Sequence, residues 1–265
     1  MKIRHLVSTR FLLFDFFGNG RIFDDGYKKN VTNVLMNGFI STLKNQTDDD
    51  YECAIITNPR NVEYVKSLSF PIKVKVFTYD GIIADIKSSL NNYDYIISTV
   101  SDYDDFFHKD NLKIIKQSIN SSVNFKMFGF LNGATLIKGE DEPHLFSPSY
   151  IGTTGFFTCC ASIIYSTKIS FTNEFPFIVH EVAKKHNGNH PNWKHIIEAE
   201  YKNWGLHELD ADFFDYDKDD KTTRFIWTRQ PQSYTTIKLE EEHKPLHLSD
   251  VIVSLDLKND FGYGK

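Results

Sequence analysis

Ser101-Asp102-Tyr103-Asp104-Asp105 follows directly on a short apolar run, Tyr95 to Val100. A strand that ends in Asp-x-Asp sets two carboxylates at the rim of a sheet, because alternate residues of an extended chain share a face. Such a pair can hold a divalent cation, and the cation can hold a diphosphate. Two phosphates carry charge that must be compensated before a sugar can leave them. Mg²⁺ or Mn²⁺ does this by binding their oxygens. The chemistry that fits is transfer of a sugar from a nucleotide-sugar donor. Asp104 and Asp105 are the expected metal ligands. Asp102 is expected on a metal-bound water or a ribose hydroxyl, and Asp102 and Asp104 carry the catalytic assignment. Asp-x-Asp alone is common on solvated turns, so its weight comes from its place between a strand and a helix. His108 follows closely, and a helix cap or surface histidine is the commoner use of that residue.

Other residues join this candidate site. Arg10 lies near the end of the first strand-like run, where a guanidinium either clamps a phosphate or pairs with a neighbouring carboxylate. Arg60, in Thr57-Asn58-Pro59-Arg60, is a weaker version of the same case. An inverting transfer needs a carboxylate to take the acceptor proton. Glu140, Asp141, Glu174 and Glu181 are all available, and Glu181 beside His180 is the choice. Trp227 is one of only three tryptophans, which makes it a candidate for stacking on a base or sugar. Gly18-Asn19-Gly20 lacks the third glycine and the context of a dinucleotide fingerprint, and no ATPase-type phosphate loop occurs. The acidic run Asp210 to Asp220 imitates a calcium loop at Asp215, Asp217 and Asp219. It has Asp220 and Ile226 where glycine and glutamate belong, so a solvated loop is expected.

The elements that must position these groups alternate. His5 to Leu12 reads as a strand. Tyr27 to Lys44 reads as a helix, with Val31, Val34, Leu35, Phe39 and Leu43 at three- and four-residue spacing. Strands follow at Tyr51 to Thr57, Ile72 to Thr78 and Tyr93 to Val100. Helices are expected up to Leu68, from Ile82 to Leu90 and from Asp110 to Ser118. This order predicts an α/β fold with helices on the faces of one mixed, mainly parallel sheet. Ligands of such sheets gather beyond the C-terminal ends of the strands, and the aspartate cluster lies at such an end. The second half is less regular. Phe125 to Phe130 and Ala134 to Ile137 read as a hairpin around Leu131-Asn132-Gly133. Phe156 to Tyr165 is a strand or a buried helix. Pro176 to Lys185 and Pro191 to Tyr201 read as helices that open on proline. Thr223 to Trp227 reads as a strand, and Lys238 to Lys265 as an appendage.

At 265 residues, 41% hydrophobic and 25% charged, the chain has the composition of a globular protein. A formal charge of -5 argues against a large nonspecific nucleic-acid surface. Cys53, Cys159 and Cys160 suit neither a disulfide framework nor a zinc site, so a reducing compartment is expected. No run reaches the roughly 20 apolar residues of a membrane span. The N-terminus lacks a signal-peptide core. A cytoplasmic protein is expected, with any membrane contact peripheral.

These residues resemble a known group, the rhamnosyltransferase-like family of glycosyltransferases with a GT-A-type nucleotide-sugar fold. Ile97 to Asp110 resembles that family's strand, acidic motif and helix start, and Ser8-Thr9-Arg10-Phe11 its first strand. Thr42 to Thr47 with Tyr51 to Ile56 resembles its first helix end and second strand. Phe225-Ile226-Trp227-Thr228-Arg229-Gln230 resembles a late strand. The resemblance covers roughly residues 5 to 235 and implies a domain over 1–235, followed by an extension over 236–265. The donor part is about 1–125 and the acceptor part about 126–235. It implies Thr9 and Arg10 near the nucleotide, Trp227 and Arg229 at the donor, and Gln230 where the family often has a metal-binding histidine. His180 or His186 is the alternative ligand.

The leading expectation is a glycosyltransferase that uses Mn²⁺ or Mg²⁺ and a nucleoside diphosphate sugar, with a glycan acceptor. A second is transfer to a hydroxylated base in DNA, with Lys113, Lys116 and Lys126 lining a groove. A third is a nucleotide-sugar-binding module without turnover, and a fourth a two-metal phosphatase or nuclease.

Overall fold

The computed structural model describes residues 1–15, 20–120, 124–130, 133–137, 144–146, 160–184, 200–206, 222–229, 248–252 and 255–263. The expected alternation is present in its first half. Strand β1 (Ile3–Arg10) leads to helix α1 (Asp25–Leu35), which runs through a π-helical segment (Met36–Ile40) into α2 (Ser41–Lys44). Next come β2 (Glu52–Ile56), α3 (Val62–Lys66), β3 (Val74–Phe77), α4 (Tyr79–Ser89) and β4 (Tyr95–Val100). After the aspartate cluster the chain forms β5 (Phe106–Phe107) and α5 (Asn111–Gln117). The helix starts are capped as their sequences dictate. Asp24 accepts from the Tyr27 amide at 2.7 Å, and the Thr78 hydroxyl accepts from the Gly81 amide at 3.2 Å.

The main sheet has the order β3-β2-β1-β4 and is extended by β9 (Ala161–Ser166) and β6 (Phe125–Phe128). The first four strands are parallel, β9 runs antiparallel to β4, and β6 runs antiparallel to β9. The chain steps outward from β1 through β2 to β3 and then returns to place β4 on the other side of β1. That reversal opens a crevice above the C-terminal ends of β1 and β4.

Two apolar layers cover the sheet. Val7, Cys53, Ile55 and Ile97 pack under Val31, Leu35, Phe39 and Ile115. From the opposite face Leu6, Ala54, Ile56 and Ile96 meet Ile82 and Ile86 of α4, Val179 and Val182 of α6 (Val179–Lys184), and Trp204. Near-continuous burial along β1 and β4 is what a parallel strand covered on both faces requires.

The single sheet expected from the sequence is not the whole of it. A second, five-stranded sheet has the order β11-β8-β7-β10-β5, with β7 (Gly133–Ile137), β8 (His144–Phe146), β10 (Phe225–Arg229) and β11 (Leu248–Ile252). The expected hairpin of Phe125 to Phe130 with Ala134 to Ile137 is therefore corrected. β6 pairs with β9 in the main sheet, whereas β7 pairs with β8 and β10 in the second. β6 takes its partner from the distant β9, and β7 sits between nearby β8 and distant β10, pairings that a turn signal between β6 and β7 cannot reveal. Helix α7 (Leu257–Phe261), in the expected C-terminal extension, docks on α2. There Ser41 Oγ donates to the Gly262 carbonyl at 2.5 Å, and Phe261 joins Phe106, Leu136 and Ile226 in a third apolar cluster. The expected helix at Pro191 to Tyr201 and the acidic run at Asp210 to Asp220 fall wholly or mainly outside the described residues.

A polar thread crosses the sheet interior. His5 Nε2 lies 2.8 Å from the Thr99 hydroxyl, which lies 2.7 Å from that of Ser162. Burial pushes the His5 pKa from 6.5 down to about 3, so the ring is neutral in the fold. The unfolded chain binds this proton more readily. The resulting stability is complete above pH 6.5 and is lost as pH falls below it. Wild type should therefore lose about 2 kcal/mol more than His5→Gln between pH 7 and pH 5. Urea midpoints at the two pH values check this, and equal losses in both proteins would contradict it.

Candidate functional site

Arg10 and Asp102 meet at the rim of the reversal crevice. β1 and β4 are in register from Ile3↔Tyr95 to Ser8↔Val100, and the Ser101 amide continues the ladder to the Ser8 carbonyl at 3.1 Å. Carried two residues further, that register brings Arg10 opposite Asp102. Their side chains form an ion pair at 3.2 Å, with Arg10 32% and Asp102 39% exposed. Both groups are thus reachable by a ligand, and solvent screens their attraction. Of the two options that the sequence left for Arg10, the carboxylate neighbour is present, and it is itself a candidate site residue.

The Asp-x-Asp stretch is not extended, which corrects the reason for placing Asp102 and Asp104 on one face. The Asp105 amide donates to the Asp102 carbonyl at 3.3 Å and closes a turn. Asp104 is half-buried in that turn, and Asp105 is only 4% exposed. Tyr103 packs edge-on against Phe11 with ring centroids 5.6 Å apart. Burial, followed by the charge of Asp104, raises the Tyr103 phenol well above its ordinary pKa. The turn is also the passage from the main sheet to the second, since β5 begins at Phe106.

The π-helical segment holds this turn. The Phe39 amide donates to the Tyr103 carbonyl at 3.3 Å, a bond that a regular α-helix would direct along its own axis. Gly38 permits the approach. A Cβ built there would lie 2.8 Å from the Tyr103 carbonyl oxygen and 3.3 Å from Asp104 Cα. Sequence reading treated Tyr27 to Lys44 as one amphipathic helix and passed over Gly38. A glycine inside a periodic run was the available signal.

Three further residues complete this side of the rim. Tyr79 opens α4 directly beyond β3, and His180 and Glu181 lie in the first turn of α6. His180 is 5% exposed, and its Nε2 has no hydrogen-bond partner among the described residues. Its pKa is driven well below the ordinary value by burial and then by the charge of Arg10. The Tyr79 phenol is raised by burial and then by the Glu181 carboxylate. Glu181 accepts from the Phe177 amide at 2.7 Å, which fixes the carboxylate over the helix start. Sequence analysis missed Tyr79. Thr78-Tyr79-Asp80-Gly81, a capped helix start after a parallel strand, was the sign of a residue at the rim.

The remaining candidates are dispersed. Thr9 is fully buried on the face opposite Arg10, and its hydroxyl has no partner among the described residues. Arg60 follows β2 and is exposed, with its guanidinium 3.8 Å above the centre of the Phe23 ring. Trp227 and Arg229 lie on β10, in register with Thr135 and Ile137 of β7. Gln230 and His186 are outside the described residues. His108 is buried between the acidic turn and α7, 3.6 Å from Asp110 and 4.0 Å from Asp260. Lys116 is held by Asp48 at 2.9 Å and by Asp50 at 3.3 Å, and Lys126 is 8% exposed. These two lysines therefore do not present the basic groove that DNA binding would need. Among the described residues, no three His, Cys, Asp or Glu side chains converge on a point that could hold a metal ion. Asp102, Asp104 and Asp105 do not form a ligand set on their own.

No family model matches the chain, and no curated protein matches its sequence. The rhamnosyltransferase-like resemblance therefore rests on the residues quoted for it. Among solved structures, S. aureus TarS 1-349 aligns over 85% of this chain at 13% identity with a TM-score of 0.38. This chain spans 60% of the length of that one. A cytidylyltransferase from Leptospira borgpetersenii serovar Hardjo-bovis (strain JB197) aligns over 84% of this chain and 79% of its own, at 11% identity and a TM-score of 0.39. Both are weak structural resemblances, and neither decides reaction, donor or acceptor. No helix among the described residues is long and apolar enough to cross a membrane. Cys53 and Cys160 are buried free thiols.

Gly38→Ala tests how the acidic turn is held. In an open helix the change gains about 1 kcal/mol. Against the Tyr103 carbonyl it should instead cost about 1–3 kcal/mol, because backbone must move. A thermal melt measures the sign, and an unchanged or raised midpoint would refute the close packing.

Proposed function

We propose that this chain moves a sugar from a nucleoside diphosphate sugar to an acceptor hydroxyl, with a glycan as acceptor. The observation that carries this reading is the half-buried Arg10–Asp102 pair at the C-terminal ends of β1 and β4, where the strand order reverses. Crevices of this kind take nucleotides because several loops and helix starts converge on them. A guanidinium at that edge can bind two phosphate oxygens at once and stabilise the charge that grows on the departing diphosphate. In this reading Asp102 orients Arg10 and accepts from a ribose hydroxyl.

The reaction needs a bond made and a bond broken at the anomeric carbon. The acceptor oxygen attacks that carbon, the bond from carbon to the β-phosphate oxygen breaks, and the nucleoside diphosphate leaves. A carboxylate takes the acceptor proton as the new bond forms. Glu181 suits this role in the proposed scheme, being fixed by the Phe177 amide and within electrostatic range of Tyr79. Neutral His180 beside Arg10 leaves the guanidinium as the cation of that corner. A bound Mn²⁺ or Mg²⁺ would add charge compensation at the diphosphate. The described residues do not form its ligand set, so no step is assigned to it.

Hydrolysis and transfer should be measured over a panel of nucleoside diphosphate sugars, with and without Mn²⁺. At least one donor should turn over. Arg10→Ala should weaken its binding roughly 10- to 100-fold, the value of a charge-assisted hydrogen bond to phosphate. Glu181→Gln should remove most turnover while the fold is retained, since an amide still accepts from the Phe177 amide but cannot take the acceptor proton. If no donor binds or reacts under either condition, or if Arg10→Ala binds the donor as tightly as wild type, the proposal fails.

A further inference from the structure

Helix α7 lies beyond the 1–235 domain expected from the sequence, yet it grips the chain on both sides of the acidic turn. On one side is α2. Its first residue, Ser41, directly follows the π-helical segment, and Ser41 Oγ donates to the Gly262 carbonyl at 2.5 Å. Asn45 Nδ2 donates to the Asn259 carbonyl at 3.1 Å, and Thr42 Oγ1 to that of Phe261 at 3.3 Å. On the other side is β5, whose first residue, Phe106, directly follows the turn. Phe106 is buried in an apolar cluster with Phe261 and meets the Tyr263 ring edge-on, with centroids 5.1 Å apart. Further along, the Lys109 amide donates to the Asp260 carbonyl at 2.8 Å, and the Lys109 ammonium pairs with the Asp260 carboxylate at 2.7 Å.

We propose that α7 is a clasp that positions the acidic turn, so that the last described helix of the chain sets how firmly Asp102 is held opposite Arg10. The π-helical segment and the turn meet through the Phe39 amide and the bare Cα of Gly38. Ser41 and Phe106 are the residues at which those two segments leave that contact, and α7 binds both. The turn's own bonds are long. The Phe39 amide to the Tyr103 carbonyl and the Asp105 amide to the Asp102 carbonyl both measure 3.3 Å. Amide–carbonyl bonds are commonest near 2.9–3.0 Å and weaken as they lengthen, so packing from outside the turn must hold its shape. The clasp itself has fixed ends. Asp256 accepts from the Asn259 amide at 3.0 Å, and Gly262 closes the helix in the left-handed conformation at φ 72°. A Cβ built at Gly262 would lie 2.8 Å from the Ser41 carbonyl oxygen, so the seat takes glycine and no larger residue without moving backbone. This coupling stands on contacts alone and does not require the transfer reaction.

Amide hydrogen exchange followed by NMR on the full chain tests this. Gly262→Val sets a branched side chain at a left-handed position and drives its Cβ against the Ser41 carbonyl, so it should lift α7 from its seat. The Lys109 amide, bonded to α7, should then exchange at least about tenfold faster. The Phe39 and Asp105 amides, whose partners lie in the turn and not in α7, should also speed up by about tenfold. Amides within β2 should keep their wild-type rates, since a local opening leaves distant strands closed. Ser41→Ala removes one hydrogen bond to α7 and should give the same pattern at roughly fivefold. Should Gly262→Val not fold, Ser41→Ala alone decides. Faster exchange at Lys109 with Phe39 and Asp105 unchanged makes α7 a docked tail and overturns the proposal. A rise shared equally by β2 overturns it too, because α7 then supports the whole fold and not the turn. No change at any of these amides overturns the seat itself.

Discussion

Parallel pairing of β1 with β4 is the constraint on which the rest of this structure depends. With β2 on one side of β1 and β4 on the other, the chain must reverse its direction of travel across the sheet. The reversal opens the rim between two strand ends. Strict register then carries Arg10 to Asp102, 92 residues away in sequence, without any special feature in the intervening chain. Such pairing loses considerable loop entropy, which burial of both faces of the strands offsets. The apolar layers under α1 and under α4 are therefore what hold the two charges together.

The same strands sort their residues by face, and this sorting separates structure from candidate chemistry. Even-numbered positions of β1 point toward α4 and α6. Arg4 is bonded there to Glu52, Asp85 and Ser89 near the strand start, and Arg10 reaches the rim at its end. Odd-numbered positions point toward α1, where His5 and Thr9 are buried. A reading by residue type groups Thr9 with Arg10 because they are adjacent. The pleat sends them to opposite faces. It also explains why His5, neutral and bonded to Thr99, belongs to the interior while His180 lies beside Arg10.

Much of the first half was readable because its strands and helices carry strong period and clear caps. The four parallel strands and their helices stand close to where alternation, Asn58-Pro59 and the apolar runs put them. The second half resisted for a physical reason. β6 and β7 are near neighbours in sequence and read as a hairpin, but each finds its hydrogen-bond partner in a different sheet. The acidic motif was located correctly at a strand end, yet its shape was not foreseen. The turn at Asp102–Asp105 is imposed by contact with the π-helical segment and by the departure of the chain toward β5.

By itself the sequence determined the α/β class, the order of the early elements and the place of the aspartates after a strand. Those properties follow from local periodicity and from short-range turn chemistry, which act over a few residues. Only the tertiary structure decided that Arg10 faces Asp102, that Gly38 receives the acidic turn, and that Tyr79, Glu181 and Trp204 border one cleft. Each of these depends on strand order and on which face a side chain takes, and both are settled when distant segments pack together.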